Sequence, residues 1–183
     1  MTGKAAHVKA FLKAIYACPT LLNVKDPVDE LIEAWQAELP DVLGPAAELI
    51  KRVTVLAGEL SAATRSVLPE YGLTPAEFDV LVALRRCGTP YRLRPNELSS
   101  ALLLSTGGTS NIVNRLTGRG LVQREDDPAD GRGTLIRLTA EGRRLAEAAV
   151  RATSAAHERL FADLPPGVVR AATEALRDVS LPR

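Results

Sequence analysis

Between Ser105 and Val122 the chain reads STGGTSNIVNRLTGRGLV, a run of hydroxyls, amides and glycines with a helical period. On that period Thr109, Ile112, Val113 and Leu116 fall at i, i+3, i+4 and i+7 and form an inward stripe. Gly107, Ser110, Asn111, Asn114 and Gly118 fall on the opposite face, flanked by Arg115 and Arg119. Short hydroxyls and amides on a helix are suited to hydrogen-bonding base edges in the DNA major groove, where an Asn amide matches adenine. Glycine in a helix interior costs about 1 kcal/mol against alanine. Gly107 and Gly108 in the first turn would let the positive helix N-terminus approach a phosphate oxygen closely. The same face also suits a solvated helix of poor propensity, or a glycine contact against a neighbouring helix.

Such a face must be held outward by its neighbours. Thr74-Pro75-Ala76-Glu77 predicts a helix start that combines a capping box with proline at the first position, followed by Phe78, Leu81, Val82 and Leu84. Gly88-Thr89-Pro90 ends that helix, and Tyr91-Arg92-Leu93 reads as a short strand. Pro95 opens a short helix over Leu98, Ala101 and Leu102, directly before the polar-faced helix. Two helices joined by a tight turn form a helix-turn-helix. Leu121 to Arg124 and Thr134 to Leu138 then read as two strands around EDDPADGRG, a hairpin with a long polar tip. A hairpin in that place makes a winged helix. Arg132, between Gly131 and Gly133, is presented on the tip, and Arg92, Arg94, Arg115 and Arg124 add local positive charge suited to phosphates and the minor groove. Glu125, Asp126, Asp127 and Asp130 oppose it and read as turn chemistry, with Asp130 orienting Arg132.

Helices flank this centre. Val8, Phe11, Leu12 and Ile15 have helical spacing up to Pro19. Asp26-Pro27 starts a helix with the stripe Val28, Leu31, Ile32, Trp35 and Leu39, stopped by Pro40. A long helix carries Leu49, Val53, Leu56, Leu60, Thr64 and Val67 up to Pro69. Thr139 caps another with Leu145, Ala149, Ala152, Ala156 and Leu160; after Pro165-Pro166, Val169, Ala172, Leu176 and Val179 form a last amphipathic helix. In one chain, Leu31/Trp35, Val150/Leu160 and Leu176/Val179 would leave large apolar patches exposed, which predicts burial against a second copy. The expected fold class is mainly α with a small β-hairpin wing. Residues 1–68 supply an N-terminal extension and dimerisation helices, 69–139 the winged helix-turn-helix and 140–183 C-terminal dimerisation helices.

GLTPAEFDVLVALRRCG, followed by LRPNELSSALLLSTGGTSNIVNRLTGRGLVQREDDPADGRGTLIRLTAEG, resembles the multiple-antibiotic-resistance regulator (MarR) family of bacterial transcription factors. The likeness is close from Gly72 to Gly142 and is one of pattern alone in the flanking helices. Its most specific parts are RL-x-x-x-GLV-x-R at Arg115 to Arg124 and the wing D-P-x-D-x-R followed by LT-x-x-G. The resemblance implies a homodimer with interdigitated terminal helices, a pseudo-palindromic double-stranded DNA site, and a wing arginine, here Arg132, in the minor groove. Gly131 stands where many members carry a second wing arginine, which weakens that grip. The expected DNA contacts are Arg94, Thr106, Gly107, Ser110, Asn111, Asn114, Arg115 and Arg132.

The resemblance further implies a small effector, often an aromatic or phenolic acid, bound between the dimer base and the DNA-binding lobe. Trp35 and Asp79 could occupy places used in a urate-responsive branch, whereas Ile112 stands where that branch has an arginine. Trp35 filling a dimer interface and Asp79 solvating its helix is the competing reading. A pocket near Trp35, Arg65, Tyr71, Phe78 and Asp79 is the candidate effector site.

Composition bounds the rest. Over 183 residues acids and bases nearly cancel to a formal charge of +1, so only a local basic patch can speak for nucleic acid. Two distant cysteines, Cys18 and Cys87, make no disulfide framework and point to a reducing cytoplasm. No apolar run approaches the roughly 20 residues of a membrane span. His7 and His157 stand apart from each other and from the cysteines, so neither a metal nor another cofactor is expected. Cys87, beside Arg85 and Arg86, is read as a small buried residue or as a thiol of lowered pKa. No nucleophile–base set, phosphate loop or carboxylate pair indicates an enzyme. The alternative function is a winged-helix module for protein contact without DNA binding; Ser110, Asn111 and Asn114 argue against the apolar outer face it requires.

Overall fold

Proline opens three of the described helices, at Pro27, Pro75 and Pro95. In the computed structural model, which describes residues 26–102, 106–128, 130–165 and 167–179, α1 spans Pro27–Glu38. The expected helix from Val8 to Ile15, together with Cys18, lies outside the described residues. Asp26 accepts from the Val28 and Asp29 amides at 2.9 and 3.0 Å, and Asp29 accepts from the Asp26 amide at 3.2 Å. This reciprocal cap satisfies amides that the first helical turn leaves without partners. Arg52 of α2 (Ala47–Val67) reaches the same corner, 2.5 Å from both Asp26 and Asp29 and 2.8 Å from Glu48. Its hydrogen bond holds the Asp26 carboxyl below the usual range and pins α1 to α2.

Internal contacts divide the chain into two units: Leu60–Glu158, and Met1–Glu59 with Arg159–Arg183. In the second of these, Val28 is the one buried residue among those described. Leu31, Trp35, Leu49, Val53 and Leu56 are exposed, as are Leu160, the last residue of α6 (Ala140–Leu160), and Val169 and Leu176 of α7 (Val168–Arg177). Val179, expected on that last helix, falls beyond its end.

The other unit has a continuous core. A 3-10 turn over Leu68–Tyr71 ends on Gly72, whose φ of 60° suits glycine, and leads into α3 (Pro75–Arg86). Then follow β1 (Arg92–Leu93), α4 (Pro95–Leu102), α5 (Thr106–Gly118), β2 (Val122–Asp127), β3 (Asp130–Leu138) and α6 (Ala140–Leu160). The antiparallel sheet has the order β1-β3-β2. Leu68, Leu81, Leu84, Leu98, Leu116 and Ile136 are its largest fully buried side chains, joining the helices to the sheet. Tyr91, expected in the first strand, precedes it in the left-handed region at φ 62°.

The wing departs from the expected long tip. β2 and β3 run further than Leu121–Arg124 and Thr134–Leu138, and Asp127 already pairs with Asp130. Next along the ladder Asp126 faces Thr134, so residues 131–133 are extra length in β3, a bulge. Arg132 therefore belongs to a bulged strand rather than to a loop. Cross-strand pairing overrides the turn-forming composition of EDDPADGRG.

Candidate nucleic-acid interface

Leu98 and Ser99 of α4 are buried, and Ser99 Oγ lies 3.0 Å from Thr109 Oγ1. That buried hydroxyl pair fixes α5 on α4. Thr109, Ile112, Val113 and Leu116 are all buried, so the stripe read from the sequence is the inner face of α5. Gly107, Asn111, Asn114 and Gly118 are exposed, and Ser110 is half-buried. A Cβ added at Gly107 or Gly118 would meet nothing within 4 Å. Packing among the described residues therefore does not demand glycine at either position, so no helix contact among them accounts for it.

In the sequence Glu77 reads as a capping residue only. It is buried, accepts from the Thr74 amide at 2.9 Å, and lies 3.5 Å from Arg115 Nε and 3.4 Å from Arg119 Nη1. Burial raises the pKa of its carboxyl, but the Thr74 hydrogen bonds and the two arginines outweigh burial and hold it below the ordinary value. Arg115 and Arg119 are thus oriented from behind α5 by one carboxylate.

The wing acids have a different job from turn formation. Asp127 is buried and accepts from Arg94 Nε at 2.7 Å, tying the start of α4 to the end of β2. Glu125 accepts from Gln123 Nε2 of its own strand at 2.8 Å and, across to β3, from Arg137 Nη1 at 3.0 Å. These bonds hold its carboxyl low. Arg124 Nη2 donates to Asn114 Oδ1 at 3.0 Å, joining β2 to the outer face of α5. For Thr106, Asp130 and Arg132 only the backbone is described, so the expected Asp130–Arg132 contact lies outside the described residues.

Of the effector candidates, Arg65 is exposed near the end of α2, Tyr71 and Phe78 are half-buried against the core, and Asp79 is on the exposed side of α3. Partial loss of hydration still pushes the Asp79 carboxyl up. Trp35, 42% exposed, belongs to the other unit. Cys87 is exposed rather than buried, and its thiol donates to the Leu84 carbonyl. Partial loss of hydration around the sulfur raises its pKa, so the buried-residue reading fails on exposure and the lowered-pKa alternative finds no support. His157 Nε2 lies 2.8 Å from Thr64 Oγ1 and 3.1 Å from the Leu60 carbonyl. Among the described residues no group of three His, Cys, Asp or Glu is disposed to hold a metal, and no helix is long and apolar enough to cross a membrane.

A family model described as MarR family matches residues 71–133. The HTH-type transcriptional regulator PecS of Dickeya dadantii (strain 3937) is 31% identical over 118 residues, 63% of this chain and 69% of that protein. CouR from Rhodococcus jostii RHA1, solved bound to p-coumaroyl-CoA, is 31% identical with a TM-score of 0.60, covering 76% of this chain and 94% of that one. A mutant MarR from Escherichia coli complexed with operator DNA shares the fold at 24% identity and a TM-score of 0.62, over 81% of this chain and 98% of that one. The buried stripe and open polar face of α5, the wing of β2 and β3 and these relatives agree: the chain belongs to the MarR family of winged-helix, DNA-binding transcriptional regulators.

Proposed function

We propose that the chain is a ligand-responsive repressor, cytoplasmic and not an enzyme, that grips a pseudo-palindromic operator as a homodimer. α5 enters the major groove with Thr106, Gly107, Ser110, Asn111 and Asn114, and Arg94, Arg115 and Arg132 meet phosphates or the minor groove. Residues 69–139 form the DNA-binding lobe, and 1–68 with 140–183 form the dimer base. The observation that carries this reading is the exposed, neutral, amide-bearing face of α5 with open space at Gly107 and Gly118. An apolar outer face, which a protein-contact module would need, is not what α5 presents.

The dimer accounts for the exposed Leu31, Trp35, Leu160 and Leu176. An aromatic or phenolic acid is the effector class, near Trp35, Arg65, Tyr71, Phe78 and Asp79; CouR, a relative, was solved with p-coumaroyl-CoA. Binding selection from randomised duplex DNA tests the core of the proposal. A two-fold motif with half-sites about one helical turn apart is expected. Sequence-independent binding, or none at low salt, would rule it out.

A further inference from the structure

Asn114 and Arg124 sit on different elements, α5 and β2, yet share a 3.0 Å hydrogen bond from Arg124 Nη2 to Asn114 Oδ1. A guanidinium carries five N–H donors and no acceptor, so only the carbonyl oxygen of an amide can face it. The Asn114 amide nitrogen is therefore turned away from Arg124. An unrestrained Asn rotates about χ2 between two broad, roughly equivalent positions. Each presents a different pattern to the major groove. An oxygen placed at the purine 6-position accepts from the adenine amine and opposes the guanine carbonyl, whereas an NH2 there does the reverse.

We propose that Arg124 is a specificity-determining residue that acts through Asn114, locking its amide in one of those two orientations. The proposal rests on the reading that Asn114 faces base edges. It assigns to the wing strand a part in base discrimination that does not require the strand to touch a base. Both side chains are exposed in the free protein, so water competes with their bond. Closure of the groove over them removes that competition and strengthens it. The remaining guanidinium N–H groups stay available to a phosphate, so the same side chain can hold the backbone while it orients the amide.

The test uses the full chain and compares relative affinities for single-base variants of the selected operator at fixed salt. Asn114→Ala flattens the preference at one position of each half-site by about tenfold. Arg124→Met reduces the preference at that same position several-fold, and changes nothing further there when combined with Asn114→Ala. Arg124→Lys, which keeps the charge and a donor, retains more of the preference than Arg124→Met. Thermal melts of each variant confirm folding. If Asn114→Ala flattens the position and Arg124→Met weakens all sequences evenly, Arg124 serves as a phosphate grip and the proposal falls alone. If Asn114→Ala leaves every preference intact, the base-reading role of Asn114 falls and takes the proposal with it.

Discussion

Glu77, the third residue of α3, lies 3.4 Å from Arg119, the first residue past the end of α5. One carboxylate thus starts one helix and holds the exit of another. Glu77→Gln keeps the reciprocal cap, since glutamine serves at that position, but removes the charge. It should cost about 1–2 kcal/mol at neutral pH, because the arginines are partly exposed and keep some hydration. The folded carboxyl lies below its ordinary value of 4.5, so its contribution is complete above that pH and fades as pH falls through the folded value. Urea titrations should show wild type and Glu77→Gln converging only below about pH 4. A gap that stays constant down to pH 2 would contradict the ion-pair account.

Gly142 reverses an ordinary rule. Alanine in place of glycine inside a helix usually gains up to about 1 kcal/mol. A Cβ at Gly142, however, would stand 1.9 Å from the Leu121 carbonyl oxygen, a backbone atom that cannot swing aside. Gly142→Ala should therefore destabilise by about 1–3 kcal/mol and loosen the junction of α6 with the root of the wing. A Tm at or above that of wild type would disprove the contact.

Arg132 and Asn114 should fail in different ways. In the proposed complex Arg132 carries its charge near phosphate, so Arg132→Ala should weaken all sequences and shallow the log K against log salt slope by about 1. Asn114→Ala should leave that slope unchanged and lose selectivity instead. Equal salt slopes for wild type and Arg132→Ala would place Arg132 away from the backbone.

Light scattering at micromolar concentration should report a dimer. Placing charge in the exposed apolar stripe, as in Leu31→Glu with Trp35→Glu, should give a monomer that loses high-affinity operator binding. A dimer that persists in this variant would move the interface elsewhere.

Titration of salicylate, urate and related acids into the operator complex should lower affinity by selecting a dimer with the wrong lobe spacing. Trp35 fluorescence gives a second readout. If no such acid shifts either signal, Trp35 and Asp79 have no sensory part.

Local chemistry was legible in the sequence where short range decides. Asp26-Pro27 and Thr74-Pro75-Ala76-Glu77 announce helix starts because the capping partners are three residues apart. The face of α5 follows from its period, since a single core supplies one inner side. The long tip and the turn role of the wing acids do not hold, because these acids find distant partners: Glu125 with Arg137 across the strands, and Asp127 with Arg94 just before α4. Turn-forming residues carry no mark of such pairing. The bond between Asn114 and Arg124 is equally silent, because it exists only after β2 folds back beside α5.

The unit formed by Met1–Glu59 and Arg159–Arg183 has Val28 as its one buried residue among those described. In the proposed dimer its apolar interior is completed by the other subunit, so its melting temperature must rise with protein concentration. The cell's copy number then acts twice on the operator: by mass action on the DNA, and again by setting what fraction of chains is assembled at all.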